Sequence, residues 1–189
     1  MKNANANAPT ILIVPGLRDH VPEHWQTLLE QKLPNAVPVP RMQQDKLSCA
    51  AWVAMLDASL ERIEGPVILV AHSAGVMIVA HWAQKHSRAI EGALLATPPD
   101  FDSPLPEGYP TKDVLAQNGW LPIPRAPLPF RSIVAGSSND PLARGNAAEL
   151  LAGAWSGRFV DLGNVGHLNP ASGYGDWPQA EQFIRELAR

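Results

Sequence analysis

A buried strand that becomes a helix with no linker between them is the tightest constraint in this sequence. Residues 66–79 read Pro-Val-Ile-Leu-Val-Ala-His-Ser-Ala-Gly-Val-Met-Ile-Val. The start of that run is short, apolar and β-branched, which is the pattern of a strand covered on both faces. It stops at His72-Ser73-Ala74-Gly75, and a helical pattern begins at once. Such a corner lifts Ser73 off the C-terminal edge of a sheet, with its hydroxyl exposed and a helix N-terminus behind it. That is the small-x-Ser-x-small elbow of a serine nucleophile. Strand and helix pass close together there, so the positions two before and two after the serine must be small. Ala71 and Gly75 satisfy this, with Ala71 standing where glycine is usual. Read alone, the same string also suits a serine capping a helix. The apolar strand in front of it favours the elbow.

Taken in order, the rest of the chain alternates strands with helices. Residues 10–14 form a first buried strand closed by Pro15-Gly16, and a loop over 17–21 leads to a helix with Pro22 in its first turn. Residues 36–39 make a weaker strand, broken by prolines and so placed near an edge. Trp52, Met55, Leu56, Leu60 and Ile63 recur at helical spacing within a helix over 47–63. The elbow helix runs to about residue 86, and residues 90–96, 130–136 and 158–162 are further strands. A helix with Pro141 at its first position follows the second of these, and a last helix covers 179–188. This alternation predicts a small α/β fold: a three-layer sandwich with a mostly parallel sheet of about six strands and helices on both faces.

Between 98 and 129 the chain is dense in proline, with Phe101, Tyr109 and Trp120 interleaved and a short helical stretch over 112–117. Those aromatics call for burial, so the segment reads as an ordered loop excursion on the strand-end face, near any active site. The first nine residues are a polar tail without an apolar core, unlike a signal peptide, and the remaining 10–189 read as one domain. The formal net charge of −3 and a pI near 6.0 give no footprint for nucleic acid or an anionic membrane. One cysteine, Cys49, fits a reducing compartment, and no apolar run is long enough to span a bilayer. The expected location is the cytoplasm.

Ligands of open parallel sheets bind beyond the carboxyl ends of the strands. Ser73, Asp140 and His167 each follow directly on such an end, in the chain order Ser…Asp…His of α/β-hydrolases. A serine nucleophile needs a base within reach, an acid to orient that base, and donors for an oxyanion. His167 and Asp140 are the expected base and acid. Taken singly, Asp140 also suits an N-cap for a helix opened by Pro141, and His167 an exposed loop residue. The amide of Ala74 and that of Leu17, in the loop after the first strand, are the expected oxyanion donors, with Gly16 permitting close backbone approach. Gly16, Trp25, Phe101 and Trp120 are the expected pocket residues.

The set Val14-Pro15-Gly16, His24-Trp25, Ala71-His72-Ser73-Ala74-Gly75, Asn139-Asp140-Pro141 and Gly166-His167 resembles the retinoblastoma-binding protein 9-like serine hydrolases. These are small α/β-hydrolases with a reduced sheet and no large cap. The resemblance covers the chain from residue 10 onward and implies the same triad. It does not imply the retinoblastoma contact. Where those members carry Leu-x-Cys-x-Glu, this chain has Leu60-Glu61-Arg62-Ile63-Glu64, with Arg62 in the cysteine's place.

The other reactive side chains have plainer readings. His20 and His24 are spaced like a metal pair, but Pro22 between them takes them off a common helical face. His72 points away from the nucleophile along its strand. Cys49 reads as an inert thiol inside a helix, and no phosphate loop or dinucleotide motif is present. The expected protein is a cofactor-free, metal-free serine hydrolase acting on small or short-acyl carboxylic esters through an acyl-enzyme. The alternatives are a peptidase or amidase, and a protein-interaction module on the same scaffold.

Overall fold

The apolar runs become six strands: β1 (Thr10–Val14), β2 (Ala36–Pro38), β3 (Val67–His72), β4 (Gly92–Ala96), β5 (Ser132–Gly136) and β6 (Arg158–Asp161). They lie in the order β2-β1-β3-β4-β5-β6, each parallel to its neighbours. The structure is a computed structural model describing residues 8–189, so all but the end of the polar tail expected at 1–9 lies outside the described residues. The helices are α1 (Trp25–Lys32), α2 (Cys49–Glu61), α3 (Ala74–Lys85), α4 (Lys112–Gln117), α5 (Ala147–Ala154) and α6 (Gln179–Leu187).

Strand alternation sorts the core into two halves. Leu12, Leu69, Leu95 and Val134 pack with Trp52 and Leu56 of α2, Val79 and Trp82 of α3, and Leu151 of α5. Their neighbours Ile11, Ile68, Val70, Leu94 and Ile133 point to the opposite face, against Trp25 and Leu29 of α1 and Phe183, Ile184 and Leu187 of α6. The central strands β3, β4 and β5 are buried at every residue, as continuous apolar runs require. The short β2 sits at one edge.

Two helix starts differ from the sequence expectation. Helix α1 opens at Trp25 rather than at Pro22. The His24 amide closes a turn onto the Val21 carbonyl, and His24 Nδ1 caps the helix by accepting from the Gln26 amide at 3.2 Å. Nor does a helix begin at Pro141. Residues 140–143 form a turn in which Asp140 Oδ1 accepts from the Leu142 amide, and Gly145, at φ 56°, breaks the chain before α5 starts at Ala147. Proline suits both a first helical position and a turn, and here the turn prevails at both sites.

The excursion at 98–129 is ordered, but only part of it lies over the strand ends. Its later half is fixed to the helical layer: Leu115, Trp120 and Ile123 join the α2/α3 core. The Trp120 indole donates to the Leu47 carbonyl at 2.6 Å, and Trp155 reaches the Pro124 carbonyl.

Helix α3 crosses the end of β1 so closely that only glycine fits at residue 75. A Cβ there would run into the Val14 carbonyl oxygen and lie 2.7 Å from that of Pro15. Gly75→Ala is therefore expected to destabilise the protein by about 1–3 kcal/mol, the range for forced overpacking. Gly153, inside α5 with open space around it, provides the contrast. Gly153→Ala is expected to stabilise by about 0.5–1 kcal/mol through backbone entropy. Urea melts of the two variants should move in opposite directions.

Candidate active site

The strand–helix corner holds Ser73 at φ 56° and ψ −128°, a positive φ uncommon for a non-glycine residue. Its amide still donates to the Ala96 carbonyl at 3.0 Å, so the corner is pinned to β4. The loop after β1 passes directly over it: a Cβ on Gly16 would stand 3.1 Å from Ser73 Cβ.

Ser73 Oγ lies 2.8 Å from His167 Nε2. On the other side of the ring, His167 Nδ1 lies 3.0 and 2.9 Å from the two Asp140 carboxylate oxygens. A carboxylate only accepts, so Nδ1 carries the ring proton and Nε2 is left to accept from the serine hydroxyl. The Asp140 side chain is almost wholly buried. The turn after β5 places it, and the same turn's Asn139 Oδ1 accepts from the Gly166 amide at 2.7 Å. His167 arrives on the loop after β6. Its amide donates to Ser172 Oγ at 3.0 Å, and its carbonyl accepts from His72 Nε2 at 2.9 Å. His72 thus serves as a backbone brace for His167, a role that its strand parity alone did not disclose. Asn139, part of the Asn139-Asp140-Pro141 set, and Ser172, which belongs to no motif, are further supports. This row can move a proton from a hydroxyl to an imidazole beside a buried negative charge.

The row opens into a cavity of about 150 Å³. Leu17 and Ala74 line it beside Ser73, and among the described residues neither amide donates to a protein acceptor. Gln26, not singled out in the sequence, braces this corner from below. It is buried, and its Nε2 donates at 3.0 Å both to the Val14 carbonyl, at the end of β1, and to the Val70 carbonyl of β3. Gly16 and Phe101 line the cavity, together with Pro99, Leu105 and Tyr109 of the excursion. Trp25 and Trp120 do not. Trp25 packs on Trp177 and His72 beneath the α1 face, and Trp120 is fully buried behind Phe101 in an edge-to-face pair. Phe101 is as deeply buried as Trp25 and yet forms wall, so sequence alone does not separate core from cavity wall.

Three histidines line the cavity in a row, with ring centroids 4.5 Å apart for His24 and His72 and 4.9 Å for His72 and His167. Burial, followed by the charges His167 and His20 would carry, lowers His24 to a pKa of about 4. Burial chiefly, with the same kind of repulsion from His167 and His24, pushes His72 well below the usual histidine range. Both are held neutral in the fold. Two further histidines have backbone partners. His20 Nε2 donates to the Val39 carbonyl at 2.8 Å, and His81 Nε2 to that of Trp120 at 3.2 Å. Burial raises the Cys49 thiol to about 11, which keeps it protonated. Among the described residues, no group of three or more histidine, cysteine or acidic side chains is placed to hold a metal. No helix there is long and apolar enough to cross a membrane.

A depressed histidine pKa ties stability to pH in one direction. The unfolded chain takes up the proton near 6.5 and the folded one only near 4, so stability is complete above 6.5 and falls as pH drops between those values. For His24 alone, the loss is on the order of 2–3 kcal/mol by pH 4.5. Urea midpoints at pH 7 and pH 4.5 check this, and His24→Asn, which retains a capping oxygen, should show the shallower pH dependence.

A parallel sheet with helices on both faces and a serine at a strand–helix corner defines an α/β-hydrolase fold. The chain belongs to the serine hydrolase family, whose model, described as Serine hydrolase, matches residues 11–186. Its structure is similar to that of a YdeN-like hydrolase from Pectobacterium atrosepticum, at 29% identity over 96% of this chain and 94% of that one, with a TM-score of 0.78. The ydeN gene product from B. subtilis matches at 16% identity over 95% and 98% of the two chains, with a TM-score of 0.75. Est1E from Butyrivibrio proteoclasticus matches at 11% identity over 98% and 90%, with a TM-score of 0.70. No curated protein sequence matches the chain. The small serine hydrolase expected from the motifs is thus the family found.

Proposed function

We propose that this hydrolase cleaves small carboxylic esters through an acyl-enzyme on Ser73. The observation that carries the reading is the unbroken hydrogen-bonded row from Ser73 Oγ through His167 to Asp140 at the cavity floor. Ser73 attacks the ester carbonyl as His167 Nε2 takes its proton, and the amides of Leu17 and Ala74 receive the oxyanion. His167 then gives the proton to the departing alcohol. A water, deprotonated by the same nitrogen, attacks the acyl carbon, and Ser73 Oγ leaves with that proton as the acid is released. Asp140 holds the ring's orientation and stabilises the imidazolium. The size of the cavity, with Phe101, Leu105 and Tyr109 in its wall, favours short acyl groups.

The test is a fluorophosphonate label, an ester series graded by acyl length, and Ser73→Ala. The label is expected on Ser73, kcat/KM is expected to peak at short acyl chains, and the alanine variant is expected to lose roughly 10³-fold or more in kcat. An adduct on Ser137 or Ser138 instead would move the nucleophile. A wild-type protein that turns over no ester but binds a protein partner would favour the interaction-module alternative.

Asp140→Asn separates chemistry from turn formation. The asparagine oxygen can still accept from the Leu142 amide, so stability should change by about 1 kcal/mol or less. The amide cannot offer a charge to His167, and its N–H would force the ring into the wrong tautomer. A loss on the order of 10⁴-fold in kcat is expected, as for the equivalent change in a serine protease. Ester assays and melts on one preparation decide between the roles.

A further inference from the structure

The proposed chemistry uses only His167 of the cavity row, and His72 is taken up by the His167 carbonyl, which leaves His24. Its protonation is fixed by its own helix: Nδ1 accepts from the Gln26 amide, a bond only a lone pair can make, so the proton of the neutral ring sits on Nε2. The residue is only 8% exposed, lines the cavity, and among the described residues no group accepts from that Nε2–H. Three of its polar neighbours in the wall are engaged by the protein itself, and the Arg18 guanidinium lies over the Tyr109 ring. Asp19 accepts from two backbone amides, Gln26 donates to two carbonyls, and His72 donates to the His167 carbonyl. A donor free of protein partners, in a cavity wall shared with Ser73, leaves a hydrogen bond to be completed by what enters the cavity.

The side of the site it serves follows from the direction of proton transfer. His167 Nε2 must hand its proton to the departing oxygen, so the alcohol part of an ester lies on the imidazole's side of the reacting carbon. His24 stands on that side, separated from His167 by the ring of His72. We infer that His24 Nε2–H is a specificity-determining donor for a second oxygen, ether or hydroxyl, in the alcohol part of the substrate. This rests on the ester hydrolase reading above and narrows its substrates to esters of oxygenated alcohols. Its depressed basicity keeps the donor neutral, so it adds no charge to a wall that already carries Arg18.

The experiment compares 2-methoxyethyl acetate with n-butyl acetate, two esters of nearly the same length and shape that differ by one ether oxygen. For each, kcat/KM is divided by the rate constant for hydroxide hydrolysis, which removes the difference in leaving-group reactivity. The wild-type enzyme is expected to favour the methoxyethyl ester by roughly three- to tenfold after this correction, the worth of one neutral hydrogen bond. His24→Asn and His24→Ser both retain a helix-capping oxygen but do not reach as far, and the preference should collapse towards unity in whichever folds. A corrected wild-type ratio of one or less overturns the inference, as does a preference that survives in the variants. Ser73→Ala keeps the two claims separate. If it still turns over both esters, the serine mechanism itself has failed, whereas a dead Ser73→Ala beside an unselective wild type removes only the role of His24.

Discussion

The whole site hangs on how closely helix α3 is allowed to approach the end of β1. Gly75 lies against the Val14 and Pro15 carbonyls with no room for a side chain. That contact brings the loop at Gly16 and Leu17 down over the corner that carries Ser73. Gln26 completes the joint from the other side of the sheet, its amide bridging carbonyls of β1 and β3. The strained backbone at Ser73 is thus held by packing above and hydrogen bonds below, which is the condition for such strain to persist in a folded protein.

The partners of Ser73 are delivered differently. Asp140 and His167 ride on loops beyond β5 and β6, and side chain-to-backbone bonds from Asn139, Ser172 and His72 to the His167 loop substitute for regular structure. The electrostatics of the corner are simple because burial keeps His72 and His24 uncharged. A positive charge arising on His167 then faces one buried carboxylate and no competing cation from the histidines beside it.

The sheet, its layers and the meeting of Ser73, Asp140 and His167 could be read from the sequence because each left a local trace. Apolar runs marked the strands, and their ends marked where Ser73, Asp140 and His167 would meet. What could not be read depended on distant partners. Proline at 22 and 141 speaks equally for a helix start and for a turn, and a turn closed by the Val21 carbonyl or the Asp140 side chain decided the matter. Trp25 and Trp120 carry no sign of whether they face a cavity or a core. Trp120 is settled by an indole bond to Leu47, a residue 73 positions away. Strand alternation turned His72 away from the nucleophile, yet it lines the cavity with Ser73, because a loop from beyond the far edge strand brings the His167 carbonyl to it.

The excursion between β4 and β5 is divided along its length. Pro99, Phe101, Leu105 and Tyr109 face the cavity, while Leu115, Trp120 and Ile123 are set in the α2/α3 core. Selection on what the enzyme accepts and selection on how firmly it folds therefore fall on different stretches of one loop. Phe101, packed edge-to-face on Trp120, ties the two together, so the first stretch can drift in size and polarity around it with the second left untouched. A scaffold without a separate lid domain can in this way diversify its substrates by rewriting a dozen residues.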